Sequence, residues 1–261
     1  MTTTITLIAS SAFSQSPPEN QYFDSDGVRI RYIELGSGEP VIAIHGFTRN
    51  SDTWLERISG LAENHRLILF DQRGHGLSDK PHSVSDYGRE LGHDVIRLMN
   101  HLNIPKAHIL GYSIGVAPIG MAITENESRV VSAVFGGGAP RWDWGEERDL
   151  LNQYRYERML RSPRQQQAES GMEGQDQIAL ANLRLGEKEL VVSKESLSKL
   201  GIPIFAIVGS EDPALEAVNK FKNILPAIEL RVIEGESHIS APENPEFVDS
   251  IQDFFARNKL N

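Results

Sequence analysis

The stretch Gly111-Tyr112-Ser113-Ile114-Gly115 carries the residue types that point most directly at chemistry. It has the pattern G-x-S-x-G, set directly after an apolar run and directly before a helical stretch. A serine placed on a sharp strand-to-helix turn needs small neighbours, and Gly111 and Gly115 supply the room. The start of the following helix aims backbone N–H groups, and the positive end of its dipole, at negative charge that develops beside Ser113. The string alone is common; its position between strand and helix gives it weight. The chemistry implied is nucleophilic attack by a hydroxyl, which is weak until a base removes its proton. The chain has no cysteine, so thiolate catalysis, disulfides and cysteine–zinc sites are excluded. No pair of histidines has metal-site spacing backed by a carboxylate, and neither a metal nor any other cofactor is expected.

The elements that must position Ser113 are legible around it. Tyr22-Phe23-Asp24 and Val28 to Leu35 flank Ser25-Asp26-Gly27, a hairpin signal, and Gly36 to Pro40 makes a second turn. Val41 to His45 then forms a nearly continuous apolar run, as in a strand covered on both faces. Similar runs recur at Leu67 to Phe70, His108 to Gly111, Val130 to Phe135, Ile204 to Val208 and Leu230 to Ile233. Between them lie amphipathic helices. Leu91, Val95, Leu98, Met99 and Leu102 make one apolar stripe, and Phe247, Val248, Ile251, Phe254 and Phe255 make another. Alternation of this kind predicts an α/β fold with a mostly parallel central sheet and helices on both faces.

One interval breaks the alternation. Residues 141–199 are polar and helix-like, with Trp142, Trp144, Tyr154 and Tyr156 near the start and a single strand signal at Leu190 to Val192. A helical insertion above the sheet predicts a cap over a site, splitting a core of residues 21–140 and 200–261. Trp142 and Trp144 are candidates for the pocket roof.

Bulk properties narrow the partners. With 261 residues, 39% hydrophobic and 24% charged, the chain suits one large folded domain. Its formal net charge of -10 weighs against nucleic acid or an anionic membrane and favours a neutral small-molecule substrate. No apolar run is long enough to span a bilayer. Ile5 to Phe13 is mildly apolar, with Ala12 and Ser14 where a signal peptidase wants small residues. Export to a secreted or periplasmic location is therefore expected, with cleavage before Gln15 and residues 1–20 as a tail. The absence of Lys or Arg in Met1 to Thr4 leaves a cytoplasmic location as the alternative.

Several further motifs give the chain a resemblance to the α/β-hydrolase superfamily, and to its small, cofactor-free esterase-like members, from about Tyr22 to the C-terminus. His45-Gly46-Phe47 resembles the family's oxyanion loop after an early strand. Asp71-Gln72-Arg73-Gly74-His75-Gly76-Leu77-Ser78 resembles its D-x-R-G-x-G-x-S turn. Val208-Gly209-Ser210-Glu211-Asp212 resembles the strand-end segment with the acid, and Gly235-Glu236-Ser237-His238 the loop with the histidine. Val116 departs from the second glycine that many members carry. The resemblance implies a triad of Ser113, Asp212 and His238, in the chain order this fold uses. His238 would take the serine proton and Asp212 would orient and stabilise the imidazolium. Glu211 and Asp143 are weaker candidates for the acid. His65, His82, His93 and His101 read as surface residues, while His45 and His75 read as structural.

The backbone N–H groups of Phe47 and Ile114 are the implied oxyanion donors, and the Phe47 ring is a candidate pocket lining. The function expected is hydrolysis of small to medium carboxylic esters through an acyl-enzyme. A lactone, a thioester, a carbon–carbon bond beside a ketone, or perhydrolase and haloperoxidase chemistry remains open to the same triad. So does a ligand-binding protein that keeps the fold without turnover. Ser113 argues against the aspartate-nucleophile dehalogenases and epoxide hydrolases.

Overall fold

In the computed structural model, which describes residues 17–161 and 175–260, Asp26 and Gly27 both take positive φ (57° and 81°). That pair closes the tight hairpin between β1 (Gln21–Ser25) and β2 (Val28–Leu35), with Ser25 opposite Val28. The remaining strands are β3 (Glu39–Ile44), β4 (His65–Phe70), β5 (Ala107–Tyr112), β6 (Val130–Gly136), β7 (Ile204–Gly209) and β8 (Glu229–Ile233). They form one sheet in the order β1-β2-β4-β3-β5-β6-β7-β8, antiparallel at the β1 and β2 edge and parallel from β4 onward.

Side-chain alternation along the parallel strands divides the core in two. Ile42, Ile44, Ile109, Phe135, Ala206 and Val208 face one side, where α2 (Arg89–His101), α3 (Val116–Glu125) and α7 (Leu215–Ile224) pack. Val41, Ala43, Leu67, Leu69, Leu110, Val134 and Ile207 face the other, under α1 (Ser51–Ile58) and α8 (Pro245–Arg257). Both faces are covered, which is why these strands read as continuous apolar runs.

The interval between β6 and β7 holds α4 (Glu146–Arg161), α5 (Gln177–Gly186) and α6 (Lys194–Ser198). The strand expected at Leu190 to Val192 is not there. Leu190 ends a 3-10 turn and Val192 bonds the Arg141 carbonyl through its N–H at 2.8 Å. Both side chains are buried against the α2 and α3 side of the core, so the short apolar run serves packing and not the sheet. The expected export segment up to Ser14 lies outside the described residues. Among the described residues, no helix is long and apolar enough to cross a membrane.

The turn after β4 is built on buried charge. The Asp71 carboxylate accepts from the Ser51 N–H and hydroxyl, the Leu77 N–H and Arg31, tying α1 and β2 to one point. Arg73 makes a two-pronged contact with Asp94 of α2, at 2.8 and 2.6 Å, with both side chains almost fully buried. Breaking such a pair would strand a buried charge. The D-x-R sequence is thus a structural brace between sheet and helices.

His65 differs from expectation: it is buried, with its ring edge-on to Phe255 and His108 at 5.4 and 6.0 Å. Burial holds His45, His65 and His108 below the ordinary imidazole value, and His75 well below it. The unfolded chain therefore binds protons near pH 6 that the folded chain refuses. The stabilisation is complete above the unfolded value, about 6.5, and is lost as pH falls through it, by up to about 1.4 kcal/mol per pH unit for each group. Urea unfolding between pH 7.5 and 5.5, above the carboxylate range, is expected to show a steadily falling midpoint. A midpoint independent of pH in that window contradicts neutral burial of these rings.

Candidate active site

Three strand ends converge on the C-terminal edge of the sheet. β5 ends in Tyr112 and delivers Ser113, which has φ 57°, a left-handed conformation unusual for a residue with a side chain. Two glycines make this turn possible. A Cβ on Gly111 would lie 2.6 Å from the Gly115 carbonyl oxygen, and a Cβ on Gly115 would lie 2.8 and 2.9 Å from those of His45 and Ile44. The turn is therefore pressed against the end of β3 and the loop that follows it.

The serine hydroxyl lies 2.8 Å from His238 Nε2. On the ring's other side, Nδ1 lies 2.7 Å from Asp212 Oδ2. Asp212 stands in the turn after β7, with its side chain 1% exposed, and also accepts from the Ala214 N–H at 2.8 Å. A buried carboxylate held this way favours Nδ1–H on the imidazole and leaves Nε2 free to accept the serine proton. Glu211 is exposed, and its N–H bonds the Glu236 carbonyl at 2.9 Å; Asp143 is exposed too. Asp212 is the carboxylate that meets His238.

Tyr112, the variable residue of the motif, was not singled out from sequence. Its hydroxyl donates to the His238 carbonyl at 2.5 Å and its ring lies 5.3 Å from the imidazole. Burial, and next the charge of Asp212, raise its pKa, which keeps the phenol protonated as a donor. Tyr112 thus ties the loop after β8 to the strand that carries Ser113.

Two cavities meet at Ser113 and His238. One, of about 310 Å³, is lined by Phe47, Thr48, Trp54, Tyr112 and Ile239. The other, of about 480 Å³, is lined by Ile114, Ala117, Arg141, Arg184 and Asp212. Phe47 lines the first cavity and Ile114 the second, and Ser113 lines both. Neither cavity includes the two tryptophans. Trp142 stacks on Phe221 at 6.1 Å and lines an adjoining cavity, while Trp144 bonds Asp149 and lies beneath Arg141 and Arg148. Their rings are taken up in packing and in contacts with guanidinium groups. Trp54, Arg141 and Arg184 were missed from sequence; the one available signal was Arg184, a lone cation in the apolar run Ile178 to Leu185.

The glycine contacts generate a direct expectation. Gly115→Ala would push the added carbon into two backbone carbonyls, and overpacking of this kind costs about 1–3 kcal/mol. Urea unfolding is expected to show that loss together with a fall in activity. A variant as stable and active as the parent would mean that β3 and the Ser113 turn are not locked together.

The family profile described as the α/β hydrolase fold matches residues 39–186. The acetyltransferase component of the acetoin cleaving system of Cupriavidus necator is 34% identical over 116 residues, which cover 44% of this chain and 31% of that one. Haloalkane dehalogenase 2 of Mycobacterium tuberculosis is 31% identical over 152 residues, covering 56% and 50%. The matched segments thus span half or less of these curated relatives. Among solved structures, a thermophilic esterase from Thermogutta terrifontis superposes with a TM-score of 0.80 at 21% identity, covering 93% of this chain and 100% of that one. A Bacillus megaterium epoxide hydrolase does so with 0.75 at 18%, covering 90% and 99%. At such identities the likeness establishes the fold, and the names differ in chemistry. With its strand order, the placement of Ser113, Asp212 and His238 after β5, β7 and β8 and a profile match over more than half its length, the chain belongs to the α/β-hydrolase family.

Proposed function

We propose that the protein is a serine hydrolase that cleaves small to medium carboxylic esters through an acyl-enzyme on Ser113. The observation that carries this reading is the unbroken path from the Ser113 hydroxyl through His238 to buried Asp212, at 2.8 and 2.7 Å. Ser113 Oγ attacks the ester carbonyl as His238 Nε2 takes its proton, and Asp212 stabilises the imidazolium through Nδ1–H. The N–H groups of Ile114 and Phe47 hold the oxyanion. Ile114 lies in the first helical turn, where backbone donors lack intrahelical partners, and Phe47 lies in the loop after β3. Collapse of the intermediate expels the alcohol, which receives the proton from His238. Water, activated by the same imidazole, then attacks the acyl group, and Ser113 recovers its proton as the acid leaves.

Residues 141–199 are proposed as the cap over this site, because Arg141 and Arg184 from that interval line the cavity that holds Ser113. The aspartate-nucleophile chemistry of dehalogenases and epoxide hydrolases has no place here, since a serine occupies the nucleophile position.

A panel of short-chain aryl esters tests the reading. Ser113→Ala and His238→Ala are each expected to lower kcat by about 10⁴-fold or more, with the double variant little worse than either, because the pair acts as a unit. Asp212→Asn is expected to cost less than loss of the serine. Losses that multiply in the double variant, or near-normal turnover without Ser113, would overturn the proposal.

A further inference from the structure

The larger of the two cavities at Ser113 is lined by two arginines, although the chain as a whole carries -10. Arg141 and Arg184 both line it, and both pair with one carboxylate, Glu187, at 2.5 and 2.6 Å. The Glu187 side chain is 2% exposed and the two arginines 20% and 17%. Two guanidinium groups sharing one carboxylate leave an excess positive charge in a poorly hydrated wall. Glu187 itself does not line the cavity, and Asp212, the carboxylate that does, is committed to His238 and the Ala214 amide.

The surroundings sharpen the excess. Arg148 titrates below its ordinary value, by partial desolvation first and by Arg141 second, and Arg155 does so by desolvation and by Arg184. Arg184 spends its Nη1 on Glu187, and its guanidinium carbon stands 3.8 Å over the Phe47 ring, stacked and oriented. Arg141 Nε is buried without a protein partner. The adjoining cavity shares Arg141 and adds Arg148 and Lys220, against Asp143 and Glu216. The opposite cavity at Ser113 is instead walled by Phe47, Trp54, Tyr112 and Ile239.

We propose that this cavity holds a carboxylate of the substrate on Arg184 and Arg141, so that the preferred substrate is an ester carrying a free carboxylate in one of its two arms. A planar guanidinium with donors to spare is suited to a carboxylate, and the buried setting strengthens the contact. A neutral apolar chain in the same place would leave guanidinium donors facing it without an acceptor. This inference rests on the serine-hydrolase reading, and it replaces the neutral substrate favoured by overall charge with an anionic one favoured by local charge.

The test compares monoesters of succinate, glutarate and adipate with neutral esters of the same length. O-butyryl glycolate against propyl butyrate covers a carboxylate on the alcohol arm. Wild type, Arg184→Gln, Arg141→Gln and Arg184→Lys are assayed, each first checked for native thermal unfolding; Arg141→Gln carries the test if Arg184→Gln does not fold. Binding of glutarate and of neutral glutaramide is measured by calorimetry, independently of turnover. The kcat/KM ratio of charged to neutral ester is expected to exceed about tenfold in the wild type and to approach one in the glutamine variants, with lysine between. Glutarate affinity is expected to fall in parallel, and glutaramide not to bind.

Ester turnover with no preference for the charged series, or with a preference that survives both glutamine variants, overturns the carboxylate site and leaves the serine-hydrolase reading standing. Arginine-dependent glutarate binding with no turnover of any ester overturns that reading and supports the site. Failure of both turnover and glutarate binding overturns both.

Discussion

The left-handed turn at Ser113 is the constraint on which the rest of the site depends. A residue with a side chain held at φ 57° carries a cost of about 1–3 kcal/mol, and persists only where its surroundings leave no alternative. Here the surroundings are β5, every residue of which is buried, and the carbonyls of Ile44 and His45, against which Gly115 presses. Those contacts fix the serine relative to β3 and so relative to the Phe47 loop. They also project the hydroxyl off the sheet edge toward His238. Tyr112 then uses the same strand end to hold the histidine loop through its carbonyl. One strained turn thus sets the positions of Ser113, His238 and the Phe47 loop together, the proposed nucleophile, base and oxyanion loop.

Buried charge does the complementary work away from the serine. Arg73 with Asp94, and Asp71 with Arg31 and the start of α1, lock the turn after β4 into helices on both faces. Arg31 also pairs with Asp52, and Glu90 stands 3.8 Å from Arg73, so these clusters hold no spare cation and serve to specify geometry. The arrangement around Glu187 differs because two arginines answer one carboxylate at the wall of a cavity. The same physics that makes the first pairs structural underlies the proposal that the second cluster receives an anion.

Much of the fold was legible because strands covered on both faces must be apolar throughout, as Val41 to Ile44 and Ile204 to Val208 are. The hairpin was legible because Asp26-Gly27 can take positive φ in succession. Ser113, Asp212 and His238 could be picked out because each sits in a short motif resembling the family's, and the structure brings their side chains together. What failed depended on contacts distant in sequence. Leu190 and Val192 look like a strand but pack against the core beside α2 and α3, and His65 is buried by rings from β5 and α8. Arg141 and Arg184 are 43 positions apart in the least patterned interval, and only the fold brings them to Glu187. Net charge could not disclose such a cluster, because it sums the surface, whereas a pocket answers to the few groups that line it.

The central claim is that Ser113 becomes acylated during turnover. Rapid acid quench of the protein mixed with an activated aryl ester, followed by intact-mass measurement and peptide mapping, tests it directly. The account predicts an adduct equal in mass to the acyl group, on the peptide containing Ser113 and absent from Ser113→Ala. Steady hydrolysis of the ester with the adduct on another residue, or with no adduct when aryl release shows a burst, would contradict it.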